Sequence, residues 1–236
     1  MIIFNDILLT SRGWTTRDLG RQITPTLSAN TYQTSAMVGT KFQSRQIGER
    51  EFKITFHKLE ATMEDLQERV RELVDILDVD EPKKLRFQDM PGVYINAMPT
   101  GTIEMDQTRS YGKISVSFKC FDPFFYANTP VITNLSGSGI LKHKFKRCAW
   151  VIKLRPNTTM AKINVTIGNI KIDLNGNFDG RDLIEIDQET IKYNGNTAFH
   201  LLSLASRFGD LTFGDVPYTI SDGVQCELQT TNKLLY

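Results

Sequence analysis

Apolar and polar positions alternate along this chain in short, separate runs. From Gly112 to Cys120, Ile114, Val116, Phe118 and Cys120 share one face, while Lys113, Ser115, Ser117 and Lys119 share the other. A period of two is that of a half-buried strand. The run stops at Asp122-Pro123, because proline has no N–H for a ladder and biases the preceding residue away from helix. Phe124, Phe125 and Tyr126 follow, then the polar stretch Ala127-Asn128-Thr129-Pro130. The pattern predicts the last strand of one domain, an aromatic plug and a seam. Residues 1–128 form one module in this reading and residues 129–236 a second.

Within the first module, Glu51 to Lys58 alternates again, with Phe52, Ile54 and Phe56 on one face. A helix follows. Thr62 is placed to cap it, with Asp65 in the capping-box position. Met63, Leu66, Val70, Leu73, Val74 and Leu77 recur at steps of three and four, forming one apolar stripe, and the helix is expected to end near Asp78. Its other faces are acidic. Strands are expected at Lys84–Phe87, Val93–Met98 and Thr102–Met105, with a turn at Asp89–Gly92. Short apolar pieces at Ile2–Phe4 and Ile7–Leu9 lead to Trp14. Asn30 to Gly48 is poor in apolar residues and reads as a long exposed hairpin or arm. Strands, one helix, then strands make an α+β arrangement on antiparallel sheet.

Past Pro130 the texture changes. Short strand-like runs recur at Trp150–Leu154, Ile163–Ile167, Ile170–Leu174, Leu183–Ile186, Thr190–Tyr193, Leu201–Leu204, Val216–Ile220 and Val224–Leu228. Asn194-Gly195 is a two-residue hairpin signal, and Asn175-Gly176 and Asp179-Gly180 mark another turn region. No helix-length amphipathic stretch is present, so the second module is predicted to be a β-sandwich. The whole chain is mainly β.

Composition narrows the function. The net charge is +1 over 236 residues and each half is near neutral, unlike an electrostatically driven nucleic-acid binder. The basic run Lys142, Lys144, Lys146, Arg147 reads as a solvated face or loop. Cys120, Cys148 and Cys226 lie far apart in apolar runs, as small buried hydrophobes of a reducing compartment. The start, MIIFNDILLT, lacks the basic region and apolar core of a signal peptide, and no stretch reaches the ~18–20 apolar residues of a membrane span. Synthesis in a cytoplasm, without membrane insertion, is expected.

Candidate chemistry is sparse. His57, His143 and His200 are scattered, and neither a triad, a zinc pattern nor a phosphate-binding glycine loop is present. Asp173 to Glu185 resembles a calcium loop, with Asn175 at its first position and Gly180 at its sixth, but the twelfth residue is Ile186, not Glu. A polar β-turn is the better reading. No catalytic residue, cofactor or metal ligand is assigned, and the chain is expected not to be an enzyme.

The first module resembles a known family. Its pattern is Phe42, Arg45, Arg50, Phe52-x-Ile54-x-Phe56, the helix, Pro82-x-x-Leu85-x-Phe87-x-Asp89-x-Pro91, Tyr94-x-x-Ala97, and Gly112-x-x-x-Val116-x-Phe118-x-Cys120-x-Asp122-Pro123-Phe124-x-Tyr126. This is similar to the distal tail proteins of long, non-contractile-tailed phages of Gram-positive hosts, the siphophages. The likeness covers residues ~40–127 well and is looser beyond, where Ile186-Asp187, Tyr193-Asn194-Gly195, Leu211-x-x-Gly214 and Tyr218-x-Ile220 resemble that family's galectin-like sandwich.

The resemblance implies a virion structural protein at the distal end of the tail, made in the bacterial host. It implies a homo-hexameric ring built by the belt domain 1–128, with the 30–48 arm clasping the neighbouring subunit. The hub would join the tail tube protein to the baseplate and the tail-associated fibre or lysin. Galectin-like domains, residues 129–236, would radiate outward and in some relatives hold receptor-binding proteins. DNA would only pass through the lumen; if the acidic helix face at 64–78 looked into that lumen, it would repel the passing DNA. The loop around Leu204–Gly214 is not a recognisable sugar site, so galectin-like describes shape. Two other classes stay open: a carbohydrate-binding module contacting host cell-wall sugars through the C-terminal sandwich, and a hydrolase with an unrecognised carboxylate pair.

Overall fold

The computed structural model describes residues 2–35 and 37–235, and their contacts divide the chain into two units. The first runs through Tyr126 and takes in Leu235; the second spans Ala127–Leu234.

In chain order the first unit comprises β1 (Ile2–Phe4), β2 (Ile7–Leu8), β3 (Thr15–Arg21), β4 (Leu27–Tyr32), β5 (Lys41–Ile47), β6 (Arg50–Leu59), α1 (Met63–Leu77), β7 (Lys83–Phe87), β8 (Val93–Thr108), β9 (Tyr111–Cys120) and β10 (Phe125–Ala127). Strands β2, β1, β7 and the first part of β8 make one antiparallel sheet. Strands β3, β6, β9 and the rest of β8 make another. Ala97 is still opposite Lys83 of β7, whereas Met98 is already opposite Lys119 of β9. One strand thus serves both sheets. The alternation read at 112–120 is real: Ile114, Val116, Phe118 and Cys120 are all buried. Opposite them on β6 stand Phe56, Ile54, Phe52 and Arg50. Rings close the gap between the sheets, Phe4 on Phe118 at 5.2 Å and Phe52 on Phe87 at 5.3 Å. Each such side chain contributes about 1.5–3 kcal/mol by leaving water.

Helix α1 begins at the expected cap. The Thr62 hydroxyl accepts the Asp65 N–H at 3.1 Å and donates to the Asp65 carboxylate at 2.8 Å. Its apolar stripe is narrower than the spacing implied. Leu66, Leu73 and Leu77 are buried, but Met63 and Val74 are exposed. Leu66 lies over Gly112 of β9, and Gln67 hydrogen-bonds Gln107 of β8 at 3.0 Å.

One expectation for this unit is corrected, and one strand was not foreseen. The separate strands at 93–98 and 102–105 are one strand, β8, interrupted by a register shift between Thr100 and Glu104. The three residues between Thr100 and Glu104 face the one between Ser117 and Ser115 on β9, so two extra residues interrupt the ladder while the odd-numbered positions keep the inner face, and the sequence reads as two pieces. Strand β3 has no apolar alternation to reveal it, yet it pairs with β6 along Thr15–Arg21. The aromatic plug packs within the first unit. Phe125 faces Phe52 at 6.1 Å and Tyr126 stacks on Tyr94 at 5.6 Å. Asp122 fixes the bend, accepting from the Phe124 N–H at 3.2 Å and from the Tyr126 hydroxyl.

The second unit holds β11 (Val131–Leu135), β12 (Ser138–His143), β13 (Cys148–Pro156), β14 (Met160–Ile167), β15 (Ile170–Phe178), β16 (Ile184–Asp187), β17 (Ile191–Tyr193), β18 (Asn196–Thr197), β19 (Gly214–Ile220) and β20 (Val224–Leu234). One sheet runs β11-β20-β13-β16-β17-β18, the other β12-β19-β14-β15, all antiparallel. Between them lies a core drawn from alternate positions, with Trp150, Ile152 and Leu154 from one sheet and Ile163, Val165, Ile172 and Leu174 from the other. The chain is mainly β, an α+β unit followed by a sandwich.

Asn194 and Gly195 form the predicted hairpin turn, with φ of 48° and 85° as a type I′ turn requires. Asn175-Gly176 is not a turn but lies inside β15, Asn175 opposite Lys162. A glycine is needed there because a Cβ on Gly176 would stand 2.9 Å from the Phe178 ring. Leu201–Leu204 is not a strand. It contains the end of a 3₁₀ turn, Phe199–Leu201, and then a loop on which Leu204 is fully exposed.

Candidate functional site

The least self-sufficient part of the molecule is the ribbon made by β4 and β5. Among the described residues these strands pair only with each other, Leu27 opposite Ile47 through Tyr32 opposite Lys41. This is the arm expected from the sequence; Ala36, near its tip, lies outside the described residues. Leu27, Tyr32 and Phe42 are exposed, Phe42 at 64%. With no face against a core, nothing forces alternation, so the sequence there looks unpatterned. Charges on the ribbon are Lys41 and Arg45 alone. Its root is firmly held. The Gly48 N–H donates to the Thr26 carbonyl at 2.8 Å, the Thr26 N–H to the Glu49 carbonyl at 3.1 Å, and Lys119 pairs with Glu49 at 2.7 Å.

Just beyond that root lies a residue the sequence reading did not single out structurally. Arg50 occupies a core-facing position of β6, only 1% exposed, opposite Cys120. Its guanidinium sits over Phe125 at 4.9 Å and over Phe52 at 5.9 Å, and Nη2 donates to the Leu235 carbonyl at 2.5 Å. Among the described residues Nε has no hydrogen-bond partner, and burial holds the Arg50 pKa below the usual arginine value. Parity was the available signal: Arg50, Phe52, Ile54 and Phe56 are spaced by two.

The sequence-derived candidates do not converge. His57 contacts the Tyr111 hydroxyl at 2.6 Å in the first unit. His143 is buried in the second beside Cys148, its pKa lowered by that burial. In the calcium-like stretch, Asn175 points from a strand and Ile186 is core. Asp182 spends its oxygens on the Asp179 N–H at 2.7 Å and the Asn194 amide at 2.8 Å. That is a self-contained polar turn. Among the described residues no group of three His, Cys, Asp or Glu is gathered as for a metal. Trp150 is 1% exposed and donates to the Gly209 carbonyl at 3.0 Å, so it offers no platform for a sugar ring. The run Lys142, Lys144, Lys146, Arg147 is exposed. All three cysteines are buried and free, with burial pushing Cys120 and Cys226 to about 12 and Cys148 to about 11. No helix among the described residues is long and apolar enough to cross a membrane.

The ribbon is thus exposed on a hydrogen-bonded base. Comparison with known proteins gives the family. Residues 13–120 match the phage tail protein RIFT-related domain, and residues 146–233 match the siphovirus-type tail component, C-terminal domain. The chain belongs to the siphophage distal tail protein family. This tail protein also shares its fold with solved structures. The Dit protein of phage SPP1, described as a paradigm of the hub adsorption apparatus in phages infecting Gram-positive bacteria, aligns at TM-score 0.83 and 15% identity over 99% of this chain and 98% of that one. A chain of the phage P2 baseplate, in its activated conformation with Ca, aligns at TM-score 0.62 and 9% identity over 100% and 98%. The same baseplate with Sr gives TM-score 0.60 and 9% identity over 94% and 91%. No curated protein matches the sequence.

Proposed function

We propose that this tail protein is a non-enzymatic ring hub at the distal end of the tail. Six copies close through the first unit, the belt domain 1–128, and the β4–β5 ribbon of each clasps its neighbour. The ring joins the tail tube to the baseplate and the tail-associated fibre or lysin. The sandwich, 129–236, is galectin-like in shape and faces outward, where it can hold a receptor-binding protein. One observation carries this reading. The ribbon leaves Leu27, Tyr32 and Phe42 exposed on their own chain. Such a surface fits a heterologous contact, in which the donor patch and the acceptor patch differ and the rotation closes a ring.

The test is assembly of the full chain in multi-angle light scattering. Wild type is expected at hexamer mass at high concentration. Replacing residues 31–47 by a short glycine turn is expected to leave a folded monomer. An arm-deleted protein that still forms hexamers would place assembly elsewhere. Full chains are used because Leu235 returns to the first unit, so a cut after Asn128 also removes the acceptor of Arg50.

A further inference from the structure

The outer face of β14 and β15 is polar in a way that the sandwich itself does not need. Their inward residues, Ile163, Val165, Ile172 and Leu174, belong to the core. Their outward residues stand in three facing pairs, Lys162 with Asn175, Asn164 with Asp173, and Thr166 with Lys171. Beside them a loop is pinned along the open edge of β15. Lys171 and Arg207 exchange backbone hydrogen bonds at 2.9 and 2.6 Å, and the Ser203 N–H donates to the Asp173 carbonyl at 2.8 Å. The Ser206 hydroxyl both accepts the Asp173 N–H at 3.0 Å and donates to its carbonyl at 3.1 Å. That loop is a wall. Between wall and sheet lie two depressions of about 470 and 670 Å³ which share Thr166 and Lys171 and so form one trough.

The chemistry of the trough is selective. Lys162, Lys171 and Arg207 line it against a single carboxylate, Asp173, which Lys171 already engages at 3.1 Å. Lys162 and Arg207 have no ion-pair partner among the described residues, and the side chains of Asn164, Thr166 and Asn175 make no hydrogen bond there. Two unspent cations favour an anion. Amides and hydroxyls repeated along the strands favour a chain of hydroxyls, since each can both donate and accept. No exposed aromatic platform for a neutral sugar lines the trough. We infer that this face is a binding site for an acidic glycan, a polyhydroxylated chain carrying carboxylate or phosphate. The site is independent of the ring hub, and its test does not depend on assembly.

Binding is measured by microscale thermophoresis on the full chain at low salt. The probes are a hyaluronate tetrasaccharide, a glycerol-phosphate oligomer, a neutral maltotetraose and inorganic phosphate. At least one of the first two is expected to bind, and the stronger names the acidic group. Lys162→Glu with Arg207→Glu is expected to weaken binding about tenfold or more. Asn164→Ala with Asn175→Ala is expected to weaken it about threefold. The exposed Lys144, outside the trough, gives the control: Lys144→Glu is expected to leave binding unchanged. Circular dichroism confirms that the variants fold. Equal binding of maltotetraose or of inorganic phosphate, an equal loss with Lys144→Glu, or no binding by either acidic oligomer would overturn the inference. Hexamer mass is recorded in the same samples, so failure of the glycan site and failure of the hub reading are separately visible.

Discussion

Arg50 is a buried cation with no carboxylate partner among the described residues, and replacing it separates the contribution of its charge from that of its volume. Arg50→Ala deletes the guanidinium and two methylenes. The methylenes alone carry about 1.6 kcal/mol of burial, and the void between Phe52 and Phe125 adds to the loss. The Leu235 carbonyl also loses its donor, which costs about 1–3 kcal/mol if the group stays dry. Against this, the variant no longer holds a charge out of water, a relief of several kcal/mol that two ring faces and one carbonyl only partly offset in the wild type. The balance is a loss of about 3 kcal/mol for Arg50→Ala. Arg50→Met fills the same volume, sheds the charge, and is expected within about 1 kcal/mol of wild type. For a unit of this size 1 kcal/mol shifts Tm by roughly 4 °C, so alanine should lower it by roughly 12 °C and methionine by little. Hydrogen exchange of β6 and β9 peptides in the full chain, alongside urea unfolding, reports on this unit alone. If Arg50→Met proved as unstable as Arg50→Ala, the charge itself would be holding the fold and the argument from desolvation would fail.

The buried thiols should be silent: at pH 8 Cys120, Cys148 and Cys226, held at about 12, 11 and 12, are expected not to react with iodoacetamide until the chain unfolds. For Asp182 and Asp187 burial pushes the pKa up, but hydrogen bonds from Asp179 N–H and Asn194, and from Glu189 and Thr190, outweigh it and hold both below the usual 3.8. Their stabilisation is therefore fully present above the unfolded value and is lost as pH falls through the folded one, so melting of the sandwich should drop below about pH 4, less steeply in Asp182→Asn with Asp187→Asn. Gly209→Ala would set a Cβ 2.6 Å from the Asn169 carbonyl oxygen and push away the acceptor of Trp150. It should cost about 2 kcal/mol and change the Trp150 emission, whereas unchanged emission would show that the loop absorbs the methyl group.

How much of this was legible depends on whether a residue has a core to face. At 112–120 and 163–174 one face is buried, so alternation spells the strand. Helix α1 could be read from Thr62 to Asp78 because its cap and its buried leucines are local signals. Where the partner is distant the sequence falls silent. Strand β3 is held by β6 and not by its own pattern, and the bulge in β8 disguises one strand as two. The trough was invisible for another reason. Lys162 meets Asn175, and Lys171 meets Arg207, only through pairing and a returning loop. Asn175-Gly176 even misled, since asparagine and glycine mark turns far more often than strand interiors. For the family, specific spaced residues carried the reading where periodicity could not.

The β4–β5 ribbon has a consequence for the life of the protein before any partner arrives. A two-stranded ribbon leaves both outer edges with unpaired N–H and C=O groups, a template for any extended chain that drifts past. Here the template is spoiled. A register shift between Asn30 and Thr31 breaks the even spacing of the ladder, and Lys41 and Arg45 set two like charges along one strand. Stacking a second copy edge to edge would bring those cations together and misalign the bulge. An open ribbon of this kind resists edge-to-edge stacking of copies. Smoothing the bulge or neutralising the two cations would remove that protection and favour such stacking.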